Sequence, residues 1–456
     1  MTNFTTDAKI CIERELDVVP VEVDDLISRF DIKDTCKWIS DKNFSKVCLQ
    51  FPDELLPIST KVYEEIKKRV DVDLYILGDT SYASCCVDSV AAMHVQANAV
   101  VHYGHTCFSK SNIPVYIVLP KSELSIESVM NVIQNFQSTN DCKLCLFYGA
   151  EFEHCKDDIS KYCFQQNPDG YIGYIEQDEN KDKFLGRILK DANGQCYPVE
   201  ILNDFVCLFI GSRGQTVFNF TTSVTAKAWY LLDTETNNLD KLVETTWFKR
   251  RHFLVEKCKD ANVVGILVCK LSGDQTKDII SRMKQLCKVN GKKSYIVSVG
   301  KPNVAKLANF PEIDIYVMVA CPENDLYSNR DFYKPIVYPY ELEVALNSNR
   351  DSYFTTHVTD YDELLPGRRH YCDIDHIKEE TDVSLITGKI RETNVGKSSE
   401  SGMELEAKQN WALENIGQNL LDRSWKGLEQ KLGETDVKTV EEGRKGIALQ
   451  YCNEPE

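Results

Sequence analysis

The sequence predicts an α/β chain of three similar parallel-sheet domains around a central metal site, with a partly flexible C-terminal extension. Three observations carry this. Short apolar runs ending in glycine or cysteine alternate with segments of helical periodicity from Asp25 to Asn347, the pattern of successive βαβ units. The rhythm restarts near Lys143 and again at Val263, as triplication of one module implies. Cysteines stand just past three strand-like runs, at Cys85-Cys86, Cys107 and Cys321. In an open α/β sheet, the carboxyl ends of strands are where ligands bind.

Residues 1–22 mix charge with small apolar groups and read as an arm. The first domain, 23–138, opens with a helix over Leu26 to Trp38 and a strand at Val47 to Gln50 closed by Phe51-Pro52. An amphipathic helix then runs from Leu55 to Val70, ending in basic residues as the helix dipole favours. Strands follow at Leu74, Ala99 and Val115, with a helix over Val87 to Gln96 between the first two, and Leu124 to Phe136 closes the unit. The second domain, 139–262, has strands at Lys143 to Tyr148, Phe205 to Ile210 and Ala226 to Leu232, then a helix over Leu242 to Lys257; the polar stretch from Glu151 to Cys196 assigns no element. The third, 263–350, has strands at Val263, Ser294 and Asp314, helices from Thr276 and Asn303, and a last helix at Glu341 to Asn347. In the extension, 351–456, Ile386 to Glu406 has few large apolar groups to bury and reads as flexible. Trp411 to Leu421 and Trp425 keep apolar anchors that suit docking on the body.

At 456 residues the chain has room for several cores. Its longest apolar runs, such as Val263 to Cys269, are too short to span a bilayer, so no membrane segment is expected. The first residues lack the basic and apolar regions of a signal peptide, so a cytoplasmic chain is expected. A net charge of -17 argues against nucleic acid as a partner, because phosphate contacts need a basic surface. It suits plain solubility first, and a basic protein partner second.

Eighteen cysteines in a reducing compartment are not explained by disulfides. Cys48, Cys145, Cys207 and Cys269 lie inside apolar runs, where a free cysteine acts as a small hydrophobe. Cys142-Lys-Leu-Cys145 is formally a CxxC, but it enters a strand that turns its thiols to opposite faces. Cys86, Cys107 and Cys321 are the candidate metal ligands. Three thiolates with one open position describe an iron-sulfur cluster with an exchangeable iron, or an open zinc site. The absence of paired CxxC loops favours iron-sulfur. Cys86 is preferred to Cys85 because neighbours on an extended loop point apart and Cys86 adjoins a helix amino terminus. His102 and His105 are either donors beside the ligands or ordinary loop residues. Gly211 to Gly214 reads as a tight turn or a weak anion cradle.

The words Gly78 to Asp88, His102 to Cys107, Asp314 to Asn324 and Lys334 to Asn347 resemble the diphthamide-synthesis family of 3-amino-3-carboxypropyl transferases. The resemblance implies a three-domain α/β fold and a 4Fe-4S cluster that cleaves S-adenosylmethionine, with the carbon radical added to a histidine of elongation factor 2. The family's catalytic subunit takes its middle ligand after a Leu-Gly pair, and the most similar spot here, Phe184-Leu-Gly-Arg187, carries arginine. Together with Cys107, similar to a replacement ligand, and the long extension, this makes the chain resemble the non-catalytic subunit of the family's eukaryotic heterodimer. That resemblance implies a catalytic paralogous subunit and an electron-donor protein or reductase as partners, and a role in reducing the paralogue's cluster. The rival reading is a non-catalytic zinc-binding or scaffold module.

Overall fold

The computed structural model describes residues 26–78, 84–140, 142–178, 183–269, 275–299, 302–323, 332–374, 382–388, 390–391, 446–447 and 450–451. The arm 1–22 and the anchors Trp411 to Leu421 and Trp425 lie outside them. Residues 1–398 form one compact unit and 399–456 a second, in which a hairpin pairs Gly446–Ile447 with Gln450–Tyr451.

Three sheets repeat one topology. In the first, β1 (Lys46–Gln50), β2 (Asp73–Leu77), β3 (Ala99–Tyr103) and β4 (Val115–Val118) lie parallel in the order β2-β1-β3-β4. The second contains β5 (Leu144–Tyr148), β6 (Tyr171–Ile175), β7 (Arg187–Lys190), β8 (Cys196–Tyr197), β9 (Val206–Gly211), β10 (Ala228–Asp233) and β11 (Leu239–Leu242). Its parallel strands run β6-β5-β9-β10, and β7, β8 and β11 add antiparallel edges. The third orders β12 (Val263–Val268), β13 (Lys293–Ser298), β14 (Ile315–Val319) and β15 (Ile336–Val337) as β13-β12-β14-β15. In each module the second strand lies outside the first, and the third and fourth follow on its other side. The strands β3, β5, β9 and β14 are buried along their whole length, as parallel sheets covered on both faces require.

The crossing helices depart from the sequence reading. Ile126–Thr139, placed by chain order with the first unit, buries Val129 and Ile133 in the core of the second sheet. Thr245–Asp260 likewise buries Leu254, Val255 and Cys258 in the third. Each module therefore opens with the helix that precedes its first strand. The helix expected over Leu26 to Trp38 is two, Leu26–Arg29 and Ile32–Asp41, parted by Asp31 at φ 46°. The stretch after Glu151 supplies a helix, Lys156–Gln166, and the strands β6 to β8.

Residues 351–374, assigned by sequence to the extension, pack on the body. Phe354, Val358, Tyr361 and Leu364 join the third core, while the His357 amide donates to the Thr222 carbonyl at 2.8 Å in the second module. This strap is fixed by buried charge. Arg251 forks onto Glu341, to which His357 of the strap also turns, while Arg282 and Arg350, both paired with Glu343, donate to the strap carbonyls of Cys372 and His370. Among the described residues, no helix is long and apolar enough to cross a membrane.

Candidate metal centre

Cys107 lies beyond β3 and Cys321 beyond β14, the third strands of their modules, so equivalent strand ends each supply a thiol. Cys85 and Cys86 follow β2. The four Sγ atoms all lie within 4.8 Å of one another, with Cys85 and Cys321 at 3.4 Å and Cys86 and Cys107 at 3.7 Å. The structure thus brings together the three thiols that the sequence singles out, and adds Cys85. The preference for Cys86 over Cys85 assumed an extended loop. The chain instead turns at Ser84 and Cys85, which lets adjacent side chains face one centre.

Each thiol is held by its surroundings. At the end of β1 the buried Gln50 donates from Nε2 to the Cys86 carbonyl at 2.7 Å and accepts from the Asp88 amide at 2.9 Å. Asp88 then caps the helix Ser89–His94, accepting from the Ala91 amide at 2.9 Å. The amide of Cys107 and the hydroxyl of Thr106 both donate to the Cys85 carbonyl, at 3.2 and 3.3 Å. In the second module the helix Gln215–Ser223, entered through Gly211 to Gly214, braces the third: Asn219 donates to the Pro322 carbonyl at 2.8 Å and Thr216 to Glu323 at 3.1 Å. Gln50, Asn219 and Thr216 carry no sequence signal, because a single polar residue in an apolar run does not announce its partner.

The electrostatics are those of a buried sulfur pocket. Cys85, Cys86 and Cys321 are at most 6% exposed. Hydrogen bonding with the Cys107 thiol pushes Cys85 up, and burial pushes Cys321 up, so without a metal these sulfurs keep their protons. His102 is buried, held neutral by that burial, and its Nε2 meets the Ser84 carbonyl at 3.0 Å, which fixes the turn before Cys85. His105 is raised by the Glu323 carboxylate, 3.6 Å away, and the Glu323 amide donates to Cys321 Sγ at 3.4 Å. Cys145 faces Cys207 across β5 and β9 inside the core, where burial pushes it well up.

Arg187, at the start of β7, is buried, and its Nη2 donates to the Tyr148 carbonyl at 2.7 Å. The preceding Leu185-Gly186 turn has positive φ at both residues, 45° and 74°. A Cβ on Gly186 would come 2.6 Å from the side chain of Phe108, the neighbour of Cys107. The second module therefore approaches the thiols through Phe108, with a guanidinium and no sulfur.

Four thiols, three of them buried and that of Cys107 half-buried, suit a thiophilic centre. A tetrahedral zinc with Zn–S of about 2.3 Å spaces its sulfurs about 3.8 Å apart, close to the two short separations here. A 4Fe-4S cubane takes four thiolates from wider apart, so these side chains would open on binding it.

The family profile described as "Putative diphthamide synthesis protein" matches residues 51–355. The chain belongs to the diphthamide-synthesis family. It is 35% identical to the Danio rerio protein named 2-(3-amino-3-carboxypropyl)histidine synthase subunit 2, over 94% of this chain and 92% of that one. A Xenopus laevis protein of the same name is 33% identical over 99% and 98%. Among solved structures, Dph2 from Pyrococcus horikoshii with a 4Fe-4S cluster shares the fold, at a TM-score of 0.56 and 22% identity over 75% of this chain and 95% of that one.

Proposed function

We propose that the chain is the electron-supplying subunit of a diphthamide-synthesis transferase. In this reading Cys85, Cys86, Cys107 and Cys321 hold a 4Fe-4S cluster that relays electrons to the cluster of a catalytic paralogue. The paralogue moves the 3-amino-3-carboxypropyl group from S-adenosylmethionine to a histidine of elongation factor 2 in the cytoplasm, and a donor protein or reductase refills the relay. The observation that carries the reading is the fourth thiol. Four thiolates on a cubane leave no iron open for a substrate, which suits storage and transfer of an electron. The relatives named as subunit 2 and the cluster in the archaeal neighbour support it. When bound, the cluster supplies one low-potential electron. The residues of this chain bury three of the four thiolates and fix their loops through Gln50 and Asn219.

A second reading follows from the 3.4 and 3.7 Å separations, which suit one tetrahedral ion. That reading makes the chain a zinc-bound scaffold.

Serine changes in one subunit of the heterodimer or the other test the relay. Cys86→Ser or Cys321→Ser here should slow transfer to elongation factor 2 at least tenfold when a physiological reductase supplies electrons, and less than twofold in excess dithionite. Loss under both conditions, in an intact dimer, contradicts the relay.

A further inference from the structure

Arg187 is a buried cation with no carboxylate in hydrogen-bond contact among the described residues. The residue is 3% exposed, one donor reaches a neutral carbonyl, and Nε and Nη1 meet no hydrogen-bond partner among the described residues. A buried guanidinium ordinarily forks onto a carboxylate, as Arg251 does onto Glu341. Glu151, Glu153 and Glu323 act on Arg187 only through space. Arginine does not shed its proton in a protein, so the cation persists and needs an anion nearby.

Its position indicates where that anion belongs. The guanidinium lies 6.0 Å from the centre of the Phe108 ring and 5.3 Å from that of Tyr148, and Phe108 is bonded to Cys107. Glu323, one of the carboxylates acting on it, belongs to the loop whose amide donates to Cys321 Sγ. Arg187 therefore faces the aromatic neighbour of one of the four thiols, in a buried setting where charge acts over distance. An iron-sulfur group on four thiolates is an anion, more so once reduced, and its net charge and surroundings set its potential.

We propose that Arg187 is the buried counter-charge of the thiolate-held cluster, and that it holds the cluster's reduction potential up by favouring the more negative, reduced form. This rests on the cluster reading above. Arg187 does not touch the group. It is a positioning residue acting through the field.

Anaerobic redox titration of the full-length chain, followed by visible absorption and by the paramagnetic signal of the reduced form, tests this. Arg187→Gln keeps a donor for the Tyr148 carbonyl and removes the charge. It should shift the one-electron equilibrium about tenfold toward the oxidised form, about 59 mV more negative. Arg187→Lys should shift it much less. Glu323→Gln, which removes an opposing carboxylate, should shift it the other way. An Arg187→Gln protein with wild-type iron and sulfide and an unmoved potential overturns the proposal. If that variant does not fold, an unmoved potential in iron-replete Glu323→Gln overturns it instead. A wild-type chain that binds zinc and no sulfide removes the cluster reading, and this inference falls with it.

Discussion

Cys85 and Cys86 reach one centre because the backbone turns beneath them, and this sets how single substitutions should behave. Serine at any of Cys85, Cys86, Cys107 or Cys321 should lower bound iron by more than half, measured on protein purified without oxygen. Cys145→Ser should leave iron unchanged and cost about 1–3 kcal/mol in thermal unfolding, since it buries a hydroxyl in the core. Cys86, Cys107 and Cys321 were legible as strand-end thiols. That Cys85 would join Cys86 at one centre was not, because periodicity reports strands and helices and says little about the path of a short loop. Arg187 was legible only as a departure from a motif. Its burial, its single hydrogen bond and its place behind Phe108 depend on how two modules meet.

Among the elements, the strand runs were the most legible, since fully buried parallel strands read as unbroken apolar segments. The crossing helices were visible too, but chain order cannot tell which of two sheets a helix covers. The strap at 351–374 was missed because it is held by single apolar anchors and charge rather than by a periodic face. Its charged support gives a prediction. Against the upward push of burial, Arg251 and His357 hold Glu341 down from the ordinary 4.5 to about 2. A depressed carboxyl stabilises the fold above its unfolded value, and that stability, about 3 kcal/mol, is lost as pH falls from 4.5 toward 2. Burial holds His357 below its ordinary 6.5, so protonating it below that pH also favours unfolding. Denaturant midpoints should thus fall from pH 7 to pH 4, and a flat profile would count against this account. Arg251→Met leaves Glu341 buried without its cation and should cost about 3–5 kcal/mol by chemical denaturation. Gly186→Ala, at φ 74° and against Phe108, should cost about 1–3 kcal/mol by the same measurement.

In the whole molecule, one strand order recurs three times and the modules meet around the sulfurs. Cys85 and Cys321 join the first module to the third, Asn219 joins the second to the third, and Gly186 rests on Phe108 between the first and second. Among the described residues, two of the three modules supply a thiol to the centre. This asymmetry underlies the expectation of a paralogue that does the chemistry. Expressed together, the two chains should elute as a one-to-one complex in size measurements, whereas a chain that stays monomeric beside the paralogue contradicts the assignment of roles. The central claim, that four thiols hold an iron-sulfur cluster, is tested most directly by counting metals and acid-labile sulfide in the chain purified without oxygen, alongside its visible spectrum. The account predicts four irons and four sulfides per chain with a broad brown absorption that dithionite bleaches. One zinc, no sulfide and a colourless protein would contradict it.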